Sequence, residues 1–208
     1  MKKILMIATA VVFMIGTAFS NPGSDATEFS VDTEKSKVLW TGSKVTGSHN
    51  GTISLSDGSV WVKGSSVNST DITIDMNSIV CLDIENEGTN QKLVGHLKSD
   101  DFFGVKTHPE AMFNATKFIP IKGAKDGEAN HTIVGNLTIK GITHEISFPA
   151  VVIMKNDQLM ANGTATIDRS KWNVQYGSGS FFDNLGDKMI YDDFDITFNL
   201  VATSASTK

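Results

Sequence analysis

The feature that most constrains the fold is a two-residue alternation of apolar and polar side chains near the end of the chain. In the segment DDFDITFNL, residues 192–200, every second position from Phe194 to Leu200 is large and apolar, and the positions between are Asp, Thr or Asn. Successive side chains of a β-strand point to opposite faces, so this pattern predicts a strand with one buried and one solvated face. A helix would need apolar residues at spacings of three and four.

The same alternation recurs along the chain. It is clearest in segments 38–42, 72–76, 133–139, 144–152 and 159–167. Strands of a parallel sheet are buried on both faces and read as continuous apolar runs, which these segments do not. Lys140-Gly141, between two of the segments, is a two-residue hairpin signal. The sequence therefore predicts an all-β antiparallel barrel or sandwich.

The predicted inward faces alternate large residues with small ones. Gly135, Ala161, Gly163 and Ala165 fall between isoleucine, leucine and phenylalanine positions. Small residues inside a barrel have two explanations, a tapering interior packed solid or a cavity whose wall side chains are too short to fill it. The sequence leaves both explanations open.

One segment has helical rather than strand spacing. Leu93, Val94 and Leu97 follow an asparagine-containing start that would cap a helix, so one short helix is expected around residues 88–101. Phe102 and Phe103 come directly after it. We expect these two rings to lie together, either filling the core or lining an entrance to the interior.

The first residues resemble a targeting signal rather than part of the fold. Lys2 and Lys3 precede an apolar run over residues 4–19, and small residues flank Phe19 before Asn21. The run is shorter than the roughly 20 residues that span a bilayer, which favours a cleaved secretory signal. We therefore expect a signal peptide at 1–20, a flexible linker at 21–27, a barrel domain at 28–203 and a tail at 204–208. The mature protein is expected in the periplasm or secreted.

Composition and motif spacing favour binding over catalysis. The chain has 18 basic and 23 acidic residues, so nucleic acid is not expected as a partner. The five histidines show no metal-ligand spacing, and Cys81 is the only cysteine, so no metal or other cofactor is expected. If Lys140-Gly141 is a tight turn, His131 faces Ala150, far along the strand from His144. No nucleophile elbow or phosphate-binding loop is present, and the chain is not expected to be an enzyme.

Three motifs in order resemble the YceI family of polyisoprenoid-binding proteins. They are GHLKSDDFFGVKTHPEAMF at 95–113, GNLTIKGITHEISFPA at 135–150 and ATIDRSKWNVQYGSG at 165–179, followed by the terminal DDFDITFNL. The resemblance implies an elongated eight-stranded antiparallel β-barrel, lipocalin-like, with one short inserted helix. It also implies that the interior holds an isoprenoid or another long-chain lipid. A homodimer and transient contact with a membrane are further partner hypotheses.

Candidate ligand-binding residues follow from that reading. The predicted apolar wall residues are Trp40, Phe102, Phe113, Leu137, Ile146, Phe148, Ile167, Trp172 and Phe182. Trp172 stands where the family commonly has phenylalanine, which would reshape the neighbouring pocket. Arg169 is the polar candidate for a lipid head group or a bound anion. The alternative for Arg169 is an ion pair with Asp168 or another acid.

Two other functions stay open at this level. One is an envelope interaction or stress-related protein whose barrel is filled by its own side chains. The other is an enzyme for a hydrophobic substrate, with His96 or His144 as general base, which requires a nucleophile or water within hydrogen-bond reach of the imidazole.

Overall fold

A computed structural model describes residues 25–204, and these form a β-barrel with one α-helix. The strands are β1 Thr27–Val31, β2 Lys37–Lys44, β3 Gly47–Lys63, β4 Ser66–Cys81, β5 Glu110–Pro120, β6 His131–Ile139, β7 Ile142–Lys155, β8 Gln158–Asp168 and β9 Ile190–Ser204, and the helix α1 is Glu87–Lys98. Short 3₁₀ turns occupy Arg169–Trp172 and Gly186–Lys188. The predicted signal peptide, most of the linker and most of the tail lie outside the described residues.

The barrel closes through antiparallel pairs only. Its neighbours run β3, β2, β9, β8, β7, β6, β5, β4, and β4 pairs again with β3. β1 and β2 together occupy one strand position of the barrel, between β3 and β9. β1 pairs with the later part of β3 and the end of β9, and β2 pairs with the earlier parts of β3 and β9. Nine segments therefore make an eight-stranded barrel, which confirms the predicted fold class.

The alternation in the sequence matches the burial of the strands. On β8, Leu159, Ala161, Ala165 and Ile167 are buried, while Asn162, Thr164 and Thr166 on the opposite face are exposed. Lys140 and Gly141 have φ values of 51° and 72°, so both central residues of the β6–β7 turn are left-handed. This is the geometry that matches the twist of a hairpin. The register pairs His131 with Ala150, as the turn predicted.

The two ends of the barrel differ. At one end, here called the helix end, lie α1, the 3₁₀ turn Arg169–Trp172 and the long connection 173–189. At the other, the turn end, lie the connections 64–65, 121–130 and 156–157, together with β1. The helix end therefore carries most of the non-strand structure.

The helix was predicted at 88–101, and the observed helix begins one residue earlier and ends three residues earlier. The Asn86 side chain accepts a hydrogen bond from the Thr89 amide at 2.9 Å, which caps the first turn. Ser99 ends the helix because its amide and its hydroxyl both donate to the His96 carbonyl, at 3.0 and 2.7 Å. Phe102 and Phe103 therefore lie in the turn after the helix, with ring centroids 5.0 Å apart.

The connection from β4 to α1 is held to β3 by Asp83. Its carboxylate accepts from the Asn50 amide at 2.9 Å and from His49 Nδ1 at 2.8 Å. Burial raises the pKa of Asp83, but the hydrogen bonds from Asn50, His49 and Cys81 together outweigh it and lower the pKa to about 2. The carboxylate thus stabilises the fold while it is ionised.

This pKa predicts how the stability depends on pH. Because the folded pKa lies below the unfolded one, the contribution of Asp83 is present above about pH 4 and lost as the pH falls toward about 2. Asp83→Asn should therefore lower the free energy of unfolding at neutral pH and have a much smaller effect near pH 2. Urea denaturation of both proteins across that range is the measurement. An effect of the substitution that does not change with pH would contradict this account.

Candidate functional site

The barrel encloses an elongated cavity with an almost entirely apolar wall. Its volume is about 230 Å³, far above the roughly 10–15 Å³ that one water requires, whereas a packed core has few voids larger than a water. The described side chains therefore do not fill the interior, which argues against the self-filled barrel.

The cavity is long and narrow. Its lining runs from Val60, Val67 and Phe118 near the turn end to Leu97 and Phe103 at the helix end. On β8 alone, Leu159 and Ile167 both line it, and eight residues of strand cover about 26 Å. A volume of about 230 Å³ spread over such a length suits one extended chain better than a compact ring system.

A row of phenylalanines crosses the interior on alternate strands. Phe148 of β7 has its ring centroid 5.5 Å from that of Phe113 on β5 and 5.6 Å from that of Phe198 on β9. The intervening strands carry glycine at these places. A Cβ on Gly135 would lie 2.6 Å from the Asn114 carbonyl oxygen and 2.8 Å from the Phe113 ring, and one on Gly163 would lie 2.8 Å from the Pro149 carbonyl oxygen and 3.2 Å from the Phe198 ring. Neighbouring backbone and rings occupy the space at these glycines, so they do not themselves mark empty space.

The open position is instead a third glycine. Gly42 of β2 lines the cavity, and a Cβ built on it would meet nothing within 4 Å. The inward alanines Ala111, Ala115, Ala161 and Ala165 also line the cavity. Both explanations offered for the small residues therefore apply, at different positions.

Eight of the ten predicted site residues line this cavity. They are Trp40, Phe102, Phe113, Leu137, Ile146, Phe148, Ile167 and Arg169. Six of them lie on inward strand faces, five where the alternation placed them and Phe113 where the resemblance did, and Phe102 and Arg169 lie at the helix end. Their contact with a ligand remains a prediction.

Trp172 does not line the cavity, in contrast to the prediction. It is 1% exposed, and its indole N–H donates to the Leu137 carbonyl at 3.1 Å. The ring packs edge-on against His144, with centroids 5.3 Å apart. Because it follows the inward face of β8 by way of a 3₁₀ turn, the strand alternation no longer applies, and the tryptophan packs behind the wall.

Phe182 is also outside the cavity. It is 49% exposed and lies in the connection between the two 3₁₀ turns, next to Phe181, which is 42% exposed. A glycine-rich loop has no two-residue period, so the sequence carries no signal for the direction of these rings.

Arg169 borders the cavity, but most of its hydrogen-bonding capacity is used within the protein. The guanidinium donates to the carbonyls of Val174, Ile190 and Tyr191 at 2.8 to 3.2 Å. It also lies 3.4 Å from the Asp192 carboxylate and over the Phe102 ring, 5.3 Å from the centroid. Burial lowers the pKa of Arg169, and the nearby carboxylates oppose that shift. The alternative of an ion pair with an acid is therefore confirmed.

The acid is Asp192 rather than Asp168. The Asp168 carboxylate accepts from the amide and the hydroxyl of Ser170, at 3.0 and 2.6 Å, and so caps the 3₁₀ turn. With three carbonyls and a carboxylate around it, Arg169 is a structural closure of the helix end. Few of its donors remain for a head group.

The two histidines considered as general bases have other neighbours. The His96 ring packs edge-on against Tyr176, with centroids 4.1 Å apart, and against Phe102. His144 bonds through Nε2 to the Lys171 carbonyl at 2.9 Å. Among residues 25–204, neither imidazole belongs to the cavity wall, and no group of three or more His, Cys, Asp or Glu is arranged to hold a metal.

Some residues of the cavity wall could not be identified from the two-residue alternation, because they lie at a bulge or at the start of a strand. Met76 and Ile79 line the cavity from within a bulge of β4, because Asp75 pairs with Ser54 and Val80 with Thr52, which leaves residues 76–79 outside the regular pairing. Tyr191 lines it at the start of β9 while remaining 48% exposed, so this residue forms part of the cavity wall and part of the outer surface. Only the pairing of the strands reveals these positions.

Within the described part of the chain, no helix has the length and apolar character needed to cross a membrane.

Comparison with known proteins identifies a protein family and solved structures with the same fold. The family model for the YceI-like domain matches residues 29–202. The structure of BcnA from Burkholderia cenocepacia aligns with a TM-score of 0.65 at 27% identity, covering 83% of this chain and 99% of that one. A polyisoprenoid-binding domain from Saccharophagus degradans, implicated in plant cell wall breakdown, aligns with a TM-score of 0.58, covering 85% of this chain and 98% of that one. Its 16% identity supports a shared fold only.

One relative matches only part of this chain in sequence. A UPF0312 protein of Pectobacterium carotovorum is 33% identical over 100 residues, which cover 48% of this chain and 45% of that protein. The matched stretch thus spans less than half the length of this relative.

Proposed function

The chain belongs to the YceI-like domain family, and from this and the cavity we propose that it binds the hydrocarbon chain of an isoprenoid or similar amphiphilic lipid inside its barrel. The single observation that carries the proposal is the narrow, apolar cavity, unfilled along the barrel. A polyisoprenoid-binding domain shares the fold, so the architecture is compatible with such a ligand.

The physical basis is transfer of apolar surface out of water. Each methylene that enters an apolar cavity contributes about 0.8 kcal/mol, and ordering of the chain and loss of its free motion oppose this gain. Such binding needs few polar contacts. The wall matches that requirement, because its one charged residue, Arg169, is already paired.

The role that fits this chemistry is a non-enzymatic carrier or store. No arrangement of nucleophile and base borders the cavity among the described residues, and a lipid chain held by apolar side chains can leave unchanged. We also propose a location outside the cytoplasm, in the periplasm or secreted, on the basis of the signal peptide predicted from the sequence. Cell fractionation and N-terminal sequencing test this, with Asn21 expected as the first residue of the mature protein.

The ligand is tested directly by extraction. Protein purified without detergent should release an isoprenoid or related lipid into organic solvent, identified by mass spectrometry, and the stripped protein should be stabilised against heat when isoprenoid is added. Absence of extracted lipid together with no thermal shift on adding isoprenoids would contradict the proposal.

A further inference from the structure

Three exposed aromatic rings lie within seven residues at the helix end. Tyr176, Phe181 and Phe182 are 47%, 42% and 49% exposed, and we call residues 176–182 the aromatic loop. Large apolar side chains gathered on a surface usually mark an interaction site, since single exposed apolar residues are common but clusters are not. The aromatic loop is therefore a candidate interaction surface.

The aromatic loop is an ordered part of the fold. The Ile190 amide donates to the Gly177 carbonyl at 2.8 Å, and the Ser180 hydroxyl donates to Asp192 at 2.6 Å. The amides of Phe181 and Phe182 both donate to the carbonyl of Ser178, which is fully buried. These bonds hold the base of the loop, so the two phenylalanine rings stay exposed on a fixed backbone.

The same bonds place the loop beside the part of the cavity wall that Tyr191 forms. The loop runs along the first residues of β9, where Tyr191 both lines the cavity and remains exposed. Val45, 44% exposed in the β2–β3 turn, lies beside the end of the connection 173–189, because its amide donates to the Met189 carbonyl at 3.2 Å. An exposed part of the cavity wall and the aromatic loop therefore lie at the same end of the barrel.

We propose that this surface, formed by the aromatic loop with Val45 and Tyr191, docks on the interface of an electrically neutral lipid bilayer. The choice of occupant rests on the proposed function, because a barrel that takes up lipid must meet a lipid phase at its opening. Tyrosine and phenylalanine suit the boundary between head groups and acyl chains, where one part of a ring is apolar and its edge or hydroxyl is wet.

Charge selects the kind of bilayer. Segment 173–193 has four aspartates, Asp183, Asp187, Asp192 and Asp193, and one lysine, Lys188. An anionic surface would repel the aspartates of this segment, whereas a zwitterionic surface leaves the aromatic contacts unopposed. Binding should therefore be stronger to phosphatidylcholine than to phosphatidylglycerol vesicles at low salt.

The test is vesicle flotation with the mature protein and phosphatidylcholine vesicles. The double substitution Phe181→Ser and Phe182→Ser should weaken binding by about tenfold, because two half-exposed rings would no longer leave water. The matched control is Ile119→Ser with Ile121→Ser, two exposed isoleucines at the turn end. The control should bind vesicles as the unmodified protein does.

Loading is measured separately, without vesicles, by fluorescence on adding a short soluble isoprenoid analogue. The aromatic-loop variant should load normally, since its rings lie outside the cavity.

If neither the unmodified protein nor any variant loads the analogue, but flotation still depends on Phe181 and Phe182, the proposed function is contradicted and the docking surface is supported. The docking proposal is overturned if the unmodified protein does not float, if both double variants lose binding equally, or if phosphatidylglycerol is preferred in a salt-sensitive way. A dimer that only the aromatic-loop variant abolishes, without flotation, would overturn it in favour of a second copy.

Discussion

Gly42→Phe should abolish lipid loading while leaving the barrel at least as stable as before. The position lines the cavity, and a Cβ there meets nothing within 4 Å, so the new ring can extend into the empty interior without displacing the backbone. Loading should fall by about tenfold or more, because the ring occupies volume that the chain needs. A ring buried in a preformed cavity should also raise the free energy of unfolding by about 1–3 kcal/mol.

The opposite signs of these two effects separate a blocked cavity from a damaged protein. Loading is measured by lipid extraction and by titration with an isoprenoid analogue, and stability by urea denaturation. Thr41→Phe is the matched control, because it adds the same ring to the neighbouring, outward-facing position of β2. A Gly42→Phe protein that loads as well as the control would show that the lipid does not occupy this cavity.

Arg169→Met should cost about 3–5 kcal/mol of stability, the range seen when one partner of a buried ion pair is removed. The substitution deprives three carbonyls of their donor and leaves the Asp192 carboxylate beside an apolar side chain. One oxygen of Asp192 is already buried without a hydrogen bond, so the guanidinium is the group that compensates its charge.

A second substitution identifies the cause. Adding Asp192→Asn to Arg169→Met should recover part of the lost stability, because it removes the uncompensated charge. Lys171→Met, an exposed residue on the same 3₁₀ turn, is the control and should change the free energy of unfolding little. If Arg169→Met unfolds like the control but loses lipid loading, Arg169 is a ligand-binding group rather than a structural one.

The prediction from sequence succeeded where a strand period ran unbroken. Leu137, Ile146, Phe148 and Ile167 were assigned to inward faces from their spacing alone, and all four line the cavity. The hairpin register also followed, because two left-handed residues at Lys140 and Gly141 allow only one pairing of the flanking strands.

It failed where the chain leaves the strands. Trp172 and Phe182 were assigned to the wall by residue type, but a 3₁₀ turn directs the first behind the wall and a loop exposes the second. The ion-pair alternative for Arg169 was right, but the acid is Asp192, more than twenty residues away, and the guanidinium also donates to backbone carbonyls. No local pattern records such contacts.

The amino-acid sequence alone determined the antiparallel strands, the faces they bury, the hairpin register and the existence of one capped helix, because these depend on side-chain period and turn chemistry within a few residues. Tertiary structure decided whether the small inward residues leave space. Gly135 and Gly163 are covered by phenylalanine rings from neighbouring strands, whereas no ring reaches Gly42. A cavity is the volume that distant side chains fail to fill, so only their assembled positions define it.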